Sequence, residues 1–501
     1  MNIAILIITL TFLLAFYLGV LARKGQKMEM EQWAVANRNF GSIIMFVLMA
    51  GEIFTTYVFL GGTGGAYRMG GPIIYIFNAL CFIIPYWILP PIWRYAKKHK
   101  LITQSDFFAK KYDSKALGLL VALVGVVSMI PYIVLQLKGL KIIVSETSYG
   151  MISPNLAVWI GMIAVTIFVS VSGIHGSAWT AILKDILLLG VILFLGIYLP
   201  YHYFGGIKPM FETLDATKPG FLLIPESGYS MSWYISTCLI FGLGQYMWPQ
   251  VFGASLSSRT ESALRKNAAI LPIYQIVLVF ILFIGFTALL QIPNLQGTDT
   301  DLALFKIVKA TFEPWFVGVI GAAGLLTALV PCSMLLLTAS TLLANNIYKV
   351  VKPNITETQL SRLTRIFVPI VALVALYFTF YGGNTIIALL IMAYSFVLQL
   401  FPAVFFSLWK KNPVTKSGAF AGIIIGVITV AYVTITDATM GTLFPQFPQF
   451  IKDLDIGIVA ITVNTLVTLL VSAITGTAKV KTDNTENTVF EEHVVKQVSS
   501  K

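Results

Sequence analysis

The sequence has 501 residues, of which 57% are hydrophobic and 11% charged, where soluble domains run near a quarter charged. That balance excludes a string of soluble domains, because the longest polar stretches, about thirty residues, are too short to fold alone. The net charge of +12 sits in short loops between apolar runs, where it serves membrane topology and does not point to nucleic acid.

Residues 3–22 form an uncharged apolar run without a basic region ahead or a small-residue cleavage site behind, which reads as a retained first helix and not a signal peptide. Twelve more apolar runs follow at 40–66, 73–93, 116–137, 155–173, 178–199, 232–253, 268–290, 314–345, 366–381, 384–408, 417–436 and 456–474. Each is long enough to cross a hydrocarbon core about 30 Å thick. Thirteen spans are therefore expected in an all-α integral membrane protein. The loops after the odd-numbered spans hold 25 of the 34 Lys and Arg residues, the opposite side holds eight, and Lys184 lies inside a span. This asymmetry predicts an outside amino terminus and a cytoplasmic carboxyl terminus in a cell membrane. The densest cluster, Arg94, Lys97, Lys98, Lys100, Lys110, Lys111 and Lys115, fixes topology, with anionic lipid as a second use. Residues 479–501 have mixed charge and few aromatics, and read as a disordered cytoplasmic tail.

Metal and redox chemistry find no foothold. Cys81, Cys238 and Cys332 lie in separate apolar runs without ligand spacing, and the four histidines are scattered over loops and tail. No cofactor is expected.

Glycine clusters within long spans suggest unwound segments whose free backbone groups can bind a solute or an ion. The second span carries Gly51 and the run Gly61, Gly62, Thr63, Gly64, Gly65; the seventh carries Gly242, Gly244 and Pro249 around Gln245, Tyr246 and Trp248. A separation of five spans reverses helix direction, as in an inverted five-helix repeat with its site between the halves. Tight helix packing is the plainer use of such glycines. Glu52 is a carboxylate in an apolar span, and Thr55 and Thr56 follow at helical spacing, which predicts one polar face. Glu52 reads either as a cation or proton carrier or as a cap on loosened amides. Lys184 is expected to snorkel to the membrane surface, whereas the shorter Asp185 should meet a cation, a basic group or loosened backbone.

These residues resemble the sodium:solute symporter family over nearly the whole chain. The resemblance rests on AGEIFTTYVFLGGTGGAY at 50–67, SAWTAILKDILLL at 177–189, GLGQYMWPQVFGASLSSRTESALRKNAA at 242–269, GLLTALVPCSMLLLTASTLLANNIY at 324–348 and FPAVFFSLWKKNPVTKSGAFAGIIIG at 401–426. It implies a LeuT-like five-plus-five inverted repeat: a leading helix at 3–22, repeat one at about 40–199, repeat two at about 232–408 and trailing helices at about 417–474, all in one membrane domain, 1–478. It implies coupling sodium on the carbonyls of Gly51 and Phe54 and on Thr327, with Glu52 and Asp185 as further cation-site residues. The family's two hydroxyl positions fall on Val330 and Pro331, which offer no side-chain oxygen. Glu52, Thr55, Thr327, Ser333 or water would have to make up the loss, and a proton on Glu52 becomes a rival coupling ion. The solute site is expected from Thr55, Thr56, Tyr57, Gln245, Tyr246 and Trp248, with Tyr246 a gate or stacking residue.

The TALVP segment is most similar to the branch carrying short monocarboxylates; proline or other amino acids, pantothenate and sugars are the alternatives. A membrane sensor would need an output module, and about 27 residues follow the last span. An enzyme would need converging acid-base or metal-binding side chains, and a channel repeated polar rings along one pore. Symport of a small solute fits best; oligomeric state is open.

Overall fold

The computed structural model describes residues 2–23 and 29–476; the tail expected at 479–501 lies outside them. The elements used below are α1 (Ile3–Arg23), α2 (Ser42–Ile53), α3 (Thr63–Met69), α4 (Leu80–Lys98), α5 (Lys115–Thr147), α6 (Pro154–Phe204), α7 (Met231–Gly244), α8 (Pro249–Leu256), α9 (Glu261–Gln275), α10 (Leu278–Gln291), α11 (Pro314–Thr341), α12 (Glu357–Tyr381), α13 (Ile386–Val397), α14 (Phe401–Ser407), α15 (Lys416–Thr436) and α16 (Ile456–Thr475).

Polar residues at the starts fix the helix boundaries. Ser114, Ser153, Thr356, Thr385, Thr415 and Asp455 each accept a backbone N–H of the first turn of α5, α6, α12, α13, α15 and α16, a cap worth about 1 kcal/mol apiece. Within α6, Gly173 adopts φ 58° and divides the helix into two spans, Pro154–Val171 and Gly173–Phe204. Its missing side chain also matters for space, since a Cβ there would lie 3.1 Å from the Trp33 ring.

By length and composition eleven helical spans can cross a membrane among the described residues, or twelve with the bent pair α2 and 57–69 counted as one. The one expected span left over, the seventh at 232–253, consists of two short helices, α7 and α8, broken at 245–248. Other expected bounds shift outward. Helix α5 runs on to Thr147, so Lys138 and Lys141 lie in a helix and not in a loop.

Buried α11 lies at the centre, packed on α1, α5, α6 and α12. Around it α2 meets α6, α8 and α9, and α13 meets α5 and α7. The trailing pair α15 and α16 pack on each other, with α16 also against α7. Large apolar side chains face outward too, among them Trp87, Ile186, Ile273 and Ile435, as expected where lipid is the solvent. A short parallel bridge joins the segments before α2 and after α8: Phe40 N–H donates to Ser257 O at 3.1 Å and Arg259 N–H to Phe40 O at 2.9 Å. It ties together the two broken elements.

Candidate functional site: two helix breaks and the groups that fill them

The first break falls at Phe54–Thr56, one turn before the glycine run. Helix α2 ends at Ile53, the chain bends by 49°, and Tyr57–Gly62 resumes as a wide helical turn leading into α3. The glycine run itself is helical and serves close packing, against the expectation that it unwinds. A Cβ on Gly61 would lie 2.9 Å from Ile386, and one on Gly64 would lie 2.6 Å from the Thr300 carbonyl. Because α2 stops at Ile53, Glu52, Thr55 and Thr56 do not share one helical face as the spacing predicted.

A break inside an apolar bundle leaves backbone groups that must find partners. The Thr56 N–H and hydroxyl both reach Gln136 Oε1 on α5, the hydroxyl at 2.6 Å. Tyr132 donates to the Glu52 carbonyl at 3.3 Å, and the Tyr57 N–H donates to Thr55 Oγ1 at 3.2 Å. The carbonyls of Gly51 and Phe54 are both taken by one group: Lys184 Nζ donates to them at 3.2 and 2.9 Å. Lys184 is fully buried and does not snorkel, because the loosened carbonyls offer its ammonium a nearer partner than the membrane surface does. Its Nζ also lies 3.0 Å from Asp185 Oδ1, an ion contact without hydrogen-bond alignment on the carboxylate. Tyr274 on α9 faces Asp185 from the other side.

Glu52 is buried, and neither carboxylate oxygen accepts an aligned hydrogen bond among the described residues. Gln250 of α8 and the Lys184 charge face it. A buried carboxylate without aligned donors is costly unless protonated or held by a cation.

The second break, Gln245–Trp248, lies between α7 and Pro249, whose missing N–H suits the first turn of α8. Gln104 covers the freed Met247 carbonyl at 2.9 Å. An aromatic wall closes around this break. Phe241 stacks on Tyr394 with centroids 4.1 Å apart, Trp248 lies 4.9 Å from Tyr132 and 5.2 Å from Tyr394, and Tyr57 donates to Tyr75 at 2.9 Å. The Tyr394 hydroxyl donates to Gln245 Oε1. Trp248 Nε1 is buried and donates to no acceptor among the described residues.

Sequence and structure comparisons can be set beside this geometry. Residues 33–426 match the model of the sodium:solute symporter family. The chain belongs to that family. The uncharacterized symporter YhjB of Bacillus subtilis (strain 168) is 57% identical over 96% of this chain and 98% of its own. The monocarboxylate transport permease protein of Rhizobium johnstonii is 27% identical over 82% of this chain and 85% of its own. Among solved structures, a Na+-coupled sialic acid symporter in a substrate-bound outward-open state superposes with a TM-score of 0.80 at 15% identity, covering 95% of this chain and 99% of the other. That likeness establishes the LeuT-like fold. The protein is a multi-pass membrane symporter of a small solute and not an enzyme, and membership of the family implies sodium as coupling ion.

In this symporter Gly51, Phe54, Glu52 and Asp185 converge on Lys184. Thr327 and Ser333 lie buried on α11; their hydroxyls donate to the Ala323 carbonyl at 2.7 Å and the Val330 carbonyl at 2.6 Å, and Ser333 also meets Ser177 at 2.6 Å. Tyr57, Gln245 and Trp248 fall within the aromatic wall, and Tyr246 is buried beside Cys81. The Thr56 hydroxyl is engaged by Gln136. Sequence reading missed Tyr132, Gln136, Phe241, Gln250 and Tyr394, and gave Lys184 the wrong neighbours. The signal for Lys184 was its place inside a span, opposite two carbonyls already expected to bind a cation.

Proposed function

We propose that this symporter takes up a short monocarboxylate together with a cation, at a site between the two helix breaks. The observation that carries the solute class is the Trp248 indole N–H, buried without an aligned acceptor among the described residues at the amino-terminal end of α8, with the Tyr394 hydroxyl facing it. A donor in that position suits an anion's oxygen, and helix amino termini favour negative charge. Gln245 adds an amide and Tyr57, Phe241 and Tyr394 an apolar wall, which together favour a small molecule with one polar end. The similarity to the Rhizobium johnstonii permease supports the same class. The protein is assigned to the cell membrane with its amino terminus outside and one transport domain, 1–478.

The test is uptake into proteoliposomes of labelled short monocarboxylates, proline, pantothenate and sugars. Monocarboxylate uptake is expected, together with slower alkylation of Cys81, which neighbours Tyr57, Tyr246 and Tyr394, when that solute is present in a Cys238→Ser, Cys332→Ala background. Uptake confined to proline, pantothenate or a sugar would replace this solute class with that one.

A further inference from the structure

We infer that the ammonium of Lys184 takes sodium's place between the carbonyls of Gly51 and Phe54, so that the first break holds no metal cation at the site where its family implies one. The inference deepens the proposed function and rests on its placing the cation site at the first break.

Three independent features converge. The two carbonyls expected to ligate sodium are both hydrogen-bonded to Lys184 Nζ, at 3.2 and 2.9 Å. An ammonium has three N–H donors and no acceptor; two are spent on these carbonyls and its charge lies 3.0 Å from Asp185. Next, α11 carries Val330 and Pro331, which have no side-chain oxygen, where the family has hydroxyls. A hard cation needs six or so oxygens, so the site lost ligands where it gained a charged donor. Last, Lys184 is fully buried, and a sodium ion added beside it would place two positive charges within contact distance in a low-dielectric interior. The ammonium already supplies the charge that sodium would bring.

Lys184 differs from sodium in that it cannot leave. Its charge is fixed to the chain, so the carbonyls of the first break are held by a cation that does not dissociate. The titratable groups facing it are Asp185 on its own helix, Glu52 on α2 and Tyr274 on α9, with Tyr132 of α5 and Cys332 of α11 facing Glu52. Two carboxylates face one ammonium, so its charge is met from within the protein.

The first experiment needs no solute: binding of radioactive sodium to the purified full-length symporter in detergent. The unmodified protein is expected to bind none saturably, and Lys184→Ala combined with Val330→Ser, which frees both carbonyls and restores an oxygen, is expected to bind it. Saturable sodium binding by the unmodified protein overturns the inference, and that arm does not depend on a variant folding. A monodisperse double variant that also binds none overturns it too. The second experiment uses whichever solute the panel yields. Uptake should persist with sodium replaced by choline at fixed pH. An obligatory requirement for sodium under a clamped pH gradient overturns it. A panel in which monocarboxylates fail sinks the solute class and leaves the sodium-binding result intact.

Discussion

Glu52 poses the sharpest residue-scale problem, because its carboxylate is buried and neither oxygen receives an aligned hydrogen bond among the described residues. A purely structural cap would have amides pointed at it, and the loosened amide of Thr56 goes to Gln136 instead. Glu52→Gln keeps the shape and removes the titrating charge. It is expected to change thermal stability by no more than about 1 kcal/mol, since the shape is kept and no aligned hydrogen bond to the carboxylate is lost among the described residues. Coupled accumulation in proteoliposomes should nevertheless fall by roughly an order of magnitude. Normal accumulation at every pH and cation concentration would reduce Glu52 to a structural role. Thr55→Val, which removes the acceptor for the Tyr57 N–H and a hydroxyl facing Tyr132, should cost about 1 kcal/mol and less activity. Glu52 was legible in the sequence because a carboxylate in an apolar run is conspicuous. The contacts of Lys184 were not, because spacing along one helix cannot say which carbonyls of another helix turn toward it.

At the scale of elements, the two breaks have different causes. Pro249 and the flanking Gly244 mark the second in the sequence, and the structure breaks there. The first is not marked by its glycines; it follows Ile53, where Lys184, Tyr132 and Gln136 from neighbouring helices supply partners for the loosened backbone, so tertiary contacts decide it. A second device lies over α3, where the segment Gly297–Leu302 covers Gly64. Asp301 pairs with Lys138 at 2.9 Å and accepts the Ile386 N–H at the start of α13 at 3.1 Å, while Lys138 donates to the Asn384 carbonyl at 2.7 Å. This latch ties α5, α13 and the covering segment together. Burial pushes the Asp301 carboxyl above its ordinary range, against the opposing pull of Lys138, the Ile386 N–H and Arg68. A raised carboxyl pKa means that its contribution to folding stability is full below the unfolded value and is lost as pH rises through the folded value. Acid therefore unfastens the ion pair without unfolding the protein through this group. Hydrogen exchange over residues 297–302, corrected for its intrinsic pH dependence, is expected to quicken on acidification at a higher pH than an ordinary carboxylate would give. In Asp301→Asn exchange should be fast and lose that dependence; an unchanged pH profile in the variant would assign the effect to another group.

For the molecule as a whole, the order of spans was legible from the apolar runs, because a bilayer demands about twenty apolar residues per crossing, and the pairing of the second with the seventh was read from their glycine clusters. The exact bounds were not, since polar caps and tertiary packing carry α5 ten residues beyond its apolar run and start the second half of α6 at Gly173, five residues before its apolar run. Orientation rests on the basic residues, and the structure strengthens the charge argument at one place. Arg94 pairs with Glu261 at 3.2 Å, and Trp93 donates to the Ser258 carbonyl at 2.9 Å, so the basic segment after α4 and the segment before α9 lie at the same end of the bundle. Both belong to the side on which 25 of the 34 Lys and Arg residues are expected. Reporter tags at the amino terminus and in the segment 200–231 should therefore read outside, and tags in 94–115 and at the carboxyl terminus should read inside. Because α4 and α9 are tied together, their reporters must move as a pair: if 94–115 and 257–261 reported opposite sides, the packing itself would be wrong. If instead all reporters were inverted, the fold would stand and the charge rule would have failed for this chain.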